Sequence, residues 1–178
     1  IDEGLIADTV AALDGKTPLI AGILYEHSGY HRVSIQDRLH PERLKTSIFR
    51  LLSAGAKGVH FYPHYALDGG AYAAISDTTR AVARFERFFT NGKRDDSAIE
   101  ARKFDGGKCD ARAFVAGDEM LALVINETDM EQSCLVRFKN AGAGETAEIW
   151  QGGDQPADQP VAVVVPSHDV SLVLKQSS

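Results

Sequence analysis

The feature that most constrains this chain is a change of hydrophobic period partway along it. Residues 18–25, Pro-Leu-Ile-Ala-Gly-Ile-Leu-Tyr, and residues 57–62, Lys-Gly-Val-His-Phe-Tyr, are short apolar runs, each followed by a loop and a helix-period segment. Beyond about residue 97, apolar residues recur with a period of two. Apolar runs alternating with helices imply parallel strands buried on both faces; a period of two implies an antiparallel sheet. The expected fold class is therefore α/β followed by all-β. Parallel α/β folds bind ligands at the carboxyl ends of their strands. Here the first run ends in Glu26-His27-Ser28-Gly29-Tyr30-His31, and the second in Pro63-His64-Tyr65 with Asp68 close behind.

Asp2 and Glu3, ahead of Leu5, Ile6, Val10 and Leu13, predict a short amphipathic helix with acids in its first turn, stopped at Gly15. Pro41 suits the first position of a second helix, whose apolar face is Leu44, Ile48, Leu51 and Leu52 and which Gly55 ends. A third helix beyond the Gly69-Gly70 turn carries Ile75, Val82, Phe85 and Phe89 on one side. The polar stretch Asn91–Asp96 reads as a boundary between a first domain, 1–92, and a second, 97–178. In the second, residues 112–116 and 120–126 flank Gly117-Asp118-Glu119 as a hairpin. Residues 133–138, 145–150, 161–165 and 170–174 add four more strands, enough for a small antiparallel β-sandwich.

A length of 178 residues allows one domain or two small ones. The net charge of −6 argues against nucleic acid or an anionic membrane as partner, since phosphate binding needs a basic surface. No apolar run is long enough to span a bilayer, no signal peptide is visible, and no cofactor is expected. Cys109 and Cys134 are the only cysteines, and their spacing leaves a disulfide and two buried thiols both open. Two parallel strands with three helices neither shield a sheet nor close one, whereas a barrel needs eight strands and about 250 residues. Parallel strands with open edges are not stable alone. The chain opens on Ile1 rather than Met, and is expected to be the C-terminal end of a larger enzyme or half of something another chain completes.

The segment Ser53-Ala-Gly-Ala-Lys-Gly-Val-His-Phe-Tyr-Pro-His-Tyr65 is similar to the final barrel strand of (β/α)8 glycoside hydrolases of the large retaining clan that includes cellulase-like and β-galactosidase-like enzymes. Glu119-Met-Leu-Ala-Leu-Val-Ile-Asn126 and Val170-Ser-Leu-Val-Leu174 resemble strands of the small β-sandwich that often follows that barrel. The resemblance covers nearly the whole chain. It implies the last two βα units of a TIM barrel followed by an antiparallel sandwich. It also implies a nucleophilic Glu at the end of the seventh strand, the position of Glu26, and an acid/base Glu on a fourth strand that this chain does not contain.

Retaining cleavage uses two carboxyls about 5 Å apart, one as nucleophile and one as acid/base. Glu26 is the expected nucleophile. His27, Tyr30, His31, Tyr62, His64, Tyr65 and Asp68 are expected to contact the sugar, because aromatic faces stack on pyranose rings and polar tips bond hydroxyls. His60, inside a strand, is expected as an interior histidine, and Trp150 as a packing residue. The expected partners are a carbohydrate substrate and the missing barrel portion or a partner chain. A polysaccharide-degrading enzyme of this kind would be secreted or periplasmic. Two alternatives stand beside this reading: a non-catalytic carbohydrate-binding or structural module, and a metal-dependent hydrolase in which His27, His31 and Asp68 form the site.

Overall fold

The computed structural model describes residues 3–14, 16–24, 41–62, 69–139, 144–149, 152 and 154–177. The chain divides into two compact units, Ile1–Phe85 and Glu86–Ser178.

The first unit contains α1 (Glu3–Ala12), β1 (Ile20–Leu24), α2 (Pro41–Ser53), β2 (Gly58–Tyr62) and α3 (Gly69–Arg84). β1 and β2 form a parallel pair in register from Ile20–Gly58 to Leu24–Tyr62. Pro41 stands first in α2, where its missing N–H leaves no bond unmade. Leu44, Ile48, Leu51 and Leu52 are buried along one face, as the helical spacing requires. The helix closes in a Schellman motif: Gly55 N–H donates to Leu52 O (3.0 Å) and Ala56 N–H to Leu51 O (3.1 Å). Gly55 holds φ +103°, and a Cβ there would lie 3.3 Å from the Val10 side chain, so glycine serves both the turn and the approach of α1.

Two expectations for this unit are corrected. α1 forms, but it buries no residue, and Leu5 is exposed. Polar contact holds it instead: Glu3 pairs with Arg50 of α2, both ends largely shielded from water. Among the described residues the parallel strands are covered on one face only, as the shortage of covering helices implies. Ala21 and Ile23 are buried there beside half-buried Val59 and Phe61, while Ile20 is 56% exposed on the other face with Gly22 and His60. His60 is therefore not an interior histidine among the described residues.

α3 stops at Arg84, and α4 (Glu86–Thr90) belongs to the second unit. Phe89 thus leaves the helix that carries Ile75 and Val82. It meets Phe114 edge-on, ring centroids 5.2 Å apart.

The second unit continues with β3 (Lys93–Arg94), a 3₁₀ turn (Asp96–Ala98), β4 (Ile99–Lys103), β5 (Asp110–Ala116), β6 (Glu119–Asn126) and β7 (Gln132–Phe138). It ends with β8 (Gly144–Glu148), β9 (Asp154–Pro156), β10 (Val161–Val165) and β11 (Asp169–Ser177). A six-stranded sheet, β3-β5-β6-β11-β8-β9, and a three-stranded sheet, β10-β7-β4, are antiparallel throughout. Ile99, Ala113, Val124, Val136, Phe138, Val163 and Val173 of the two sheets share one core, which makes a β-sandwich. β5 and β6 turn through Gly117-Asp118 alone, with Gly117 at φ +65°, the first central position of a type II′ hairpin. Cys109 and Cys134 form a disulfide, which settles the question their spacing left open and joins the start of β5 to β7 of the other sheet.

Asn126, 1% exposed at the end of β6, is bonded through both its amide nitrogen and its amide oxygen. Its Nδ2 donates to Met130 O (2.7 Å), Pro166 O (2.9 Å) and Val165 O (3.1 Å). Its Oδ1 accepts from Thr128 N–H (3.0 Å) and Oγ1 (2.7 Å). Leaving such groups unpaired in the interior costs about 1–3 kcal/mol each. Asn126→Asp, which keeps the size and removes the donors, is expected to destabilise the protein by about 3 kcal/mol in denaturant titration. A loss below about 0.5 kcal/mol would show that the network is dispensable.

Asp96 gives this unit a pH dependence. Partial burial pulls its carboxyl upward, but the Arg94 hydrogen bonds, the Ala113 N–H and the positive charges of Arg94 and Arg112 outweigh this and hold it below its ordinary 3.8. A depressed carboxylate contributes stability above its unfolded pKa, and that contribution is lost as pH falls through the folded value. The gap in melting temperature between the wild type and Asp96→Asn is expected to narrow below about pH 4. A gap that stays constant from pH 6 to about pH 2.5 would contradict this.

Candidate functional site

The candidate site residues follow the two strands of the parallel pair in sequence. β1 and β2 stay in register to their last residues, Leu24 and Tyr62, so both strands end at the same end of the sheet. Strands of a pair lie about 4.8 Å apart. The last described residues of the two strands, Leu24 and Tyr62, therefore end side by side. One face at this end of the sheet is padded by buried Ala21 and Ile23. The other presents Gly22, at which an added Cβ would meet nothing within 4 Å.

Glu26, His27, Tyr30, His31, His64, Tyr65 and Asp68 lie outside the described residues, and Tyr62 is placed only as the last residue of β2. The structure shows only that the described ends of the two strands, Leu24 and Tyr62, are neighbours in register. Trp150 also lies outside the described residues. Among the described residues no group of three His, Cys, Asp or Glu side chains could hold a metal ion. Nor is any helix there long and apolar enough to cross a membrane.

Buried polar groups of the sandwich serve packing. Ser171 Oγ donates to Glu148 Oε1 at 2.6 Å, and both residues are buried. Lys175, 4% exposed, donates from Nζ to Asp118 O at 3.0 Å and so ties β11 to the β5–β6 turn.

No family model matches the sequence, and no curated protein matches it. Solved structures do. Over 99% of this chain and 42% of the other, the fold matches a GH27 β-L-arabinopyranosidase from Geobacillus stearothermophilus in complex with arabinose, with TM-score 0.61 and 12% identity. An α-amylase from Geobacillus thermoleovorans complexed with acarbose matches with TM-score 0.58 and 12% identity, over 89% of this chain and 39% of that one. α-Galactosidase I from Mortierella vinacea matches with TM-score 0.53 and 11% identity, over 87% and 38%. At such identities the likeness is one of fold, and the chain spans about two fifths of each of these proteins. Its fold is thus one found within glycoside hydrolases of several kinds.

Proposed function

We propose that this chain is the C-terminal portion of a (β/α)8-barrel glycoside hydrolase, contributing the last two βα units and the sandwich that follows them. The observation that carries the reading is the parallel pair β1–β2, whose ends open together into segments rich in carboxylate, imidazole and phenol. Likeness of fold to several glycoside hydrolases supports it. So does the exposed face holding Ile20, Gly22 and His60, which in a closed barrel would point inward. The partner is then the rest of the barrel, in the same chain or another, and the substrate an oligo- or polysaccharide. The disulfide fits an oxidising compartment, as for a secreted or periplasmic enzyme.

In this reading Glu26 attacks the anomeric carbon and forms a glycosyl ester, while the acid/base carboxyl, supplied by a strand outside this chain, protonates the leaving oxygen. The same group then activates water to release the sugar. His27, Tyr30, His31, Tyr62, His64, Tyr65 and Asp68 hold the sugar ring by stacking and by bonds to its hydroxyls. With one of two carboxyls present, the chain alone is expected not to hydrolyse any member of a panel of aryl glycosides. Turnover by the purified chain that vanishes in Glu26→Gln would overturn the fragment reading.

A further inference from the structure

The polar stretch between α4 and β3 begins with Asn91-Gly92, and the closure of α4 requires that glycine. The Gly92 N–H donates to Arg87 O at 2.9 Å, beside the Asn91 N–H, which donates to the same oxygen at 3.1 Å. A Cβ at position 92 would lie 2.4 Å from Phe88 O and 2.9 Å from Phe88 Cα. Phe88 is fully buried, so its backbone has no room to yield, and only glycine fits. Asn91 is exposed. Asn126, by contrast, is 1% exposed and has its amide bonded on both sides.

We propose that Asn91–Gly92 is a site of spontaneous backbone modification, gated by the last turn of α4. Asparagine is a labile residue, and a following glycine has no side chain to block approach to its amide. The Gly92 nitrogen gives its proton to hydroxide and attacks Asn91 Cγ. The new N–Cγ bond closes a five-membered succinimide, and Nδ2 leaves as ammonia. Water then opens the ring. Attack at Cγ gives aspartate, whereas attack at the main-chain carbonyl gives isoaspartate, whose backbone runs through Cβ and Cγ. One water enters and one ammonia departs, with no oxidant or reductant.

The gate follows from the hydrogen bond. A Gly92 nitrogen that donates to Arg87 O is not free to attack, so reaction waits for the turn to open. α4 is five residues long, Glu86–Thr90, and short helices open at their ends before the whole fold does. The rest of α4 stays held by buried Phe88 and Phe89 and by Arg87 Nε, 2.8 Å from Glu119 Oε2. The consequence falls on β3. Isoaspartate lengthens the main chain just ahead of Lys93 and Arg94, which pair with Val115 and Phe114. β3 is only two residues long and has no further pairs to absorb a shift. The modification is therefore expected to loosen this edge of the six-stranded sheet, including the bond from Asp95 N–H to Ala113 O (2.9 Å). All of these groups lie in the second unit, and the inference is independent of the glycosidase reading.

The test incubates the full 178-residue chain in mildly alkaline heavy-oxygen water, natively and in guanidinium, and follows the tryptic peptide 88–93 by mass spectrometry. Position 91 is expected to gain a labelled carboxyl, with isoaspartate in excess of aspartate. The rate should rise more than about tenfold in guanidinium, where the gate is gone. Asn126 should stay unlabelled in the native chain over the same time. Asn91→Gln, which would have to close a larger ring, should not react. In the isoaspartyl protein, isolated by its added negative charge, hydrogen exchange at the Asp95 amide should quicken. No label at position 91 in the native chain would overturn the site, as would label on Asn126 at an equal rate. Equal rates with and without guanidinium would overturn the gate. Unchanged Asp95 exchange in the isoaspartyl protein would overturn the effect on β3.

Discussion

Glu26→Ala in the completed enzyme is expected to lower turnover on the order of 10⁴-fold while the protein still folds. A nucleophile splits one difficult displacement into two easier ones, and without it neither half-reaction has a path. The vacated space would admit a small anion. With an activated aryl glycoside, added azide is expected to restore part of the rate by attacking where the carboxylate attacked. Glu26→Gln would fall as far and not respond to azide, because the amide still fills the space. Circular dichroism matching the wild type would assign the loss to chemistry rather than to folding. A mutant that retains more than about a tenth of the wild-type rate would remove Glu26 from the nucleophile's role.

Loss of the Cys109–Cys134 disulfide is expected to cost about 3 kcal/mol. The bond closes a loop of sequence separation 25, and a crosslink of that span removes loop entropy of this size from the unfolded chain. Cys134 is fully buried in the shared core of the two sheets, so its replacement must not overpack the site. The double variant Cys109→Ala, Cys134→Ala suits that limit, and its unfolding temperature should fall by roughly 10–20 °C in a unit of this size. The wild type under reductant should approach the same value. A shift under about 3 °C would mean that the sandwich core alone holds the two sheets together.

Much of this fold could be read from the sequence where burial writes a pattern. α2 is legible in Pro41, in the spacing of Leu44, Ile48, Leu51 and Leu52, and in Gly55. β10 is legible because Val161, Val163 and Val165 are buried between exposed Ala162 and Val164. β6 is legible for the opposite reason, since Leu121 to Asn126 are buried on both faces of their sheet. The strands that sequence alone did not reveal lack such a pattern. β3 is two charged residues, Lys93 and Arg94, inside a stretch that reads as a boundary. β4 buries only Ile99 fully, with Glu100 and Arg102 facing out. β9 is three residues ending in Pro156, a residue tolerated there because β9 is an edge strand. Each is fixed by its neighbour's backbone, and a neighbour leaves no trace in the local sequence.

The apolar run of β1 shows the converse. Pro18 to Tyr25 has the composition of a strand covered on both faces, yet Ile20 is exposed. In the proposed barrel that exposed face would be covered. For the candidate site, sequence put Glu26 and its neighbours after a strand, and the described ends of the two strands, Leu24 and Tyr62, are neighbours in register.

The central claim is that Glu26 is the carboxylate that captures the sugar. The direct measurement is to treat the completed enzyme with activated 2-deoxy-2-fluoro glycosides, which slow release of the glycosyl ester, and to map the label by peptide mass spectrometry. The account predicts a single glycosyl group on the peptide that contains Glu26, absent in Glu26→Gln. A label on a carboxylate elsewhere, with the Glu26 peptide unmodified in an enzyme that the reagent inactivates, would contradict it.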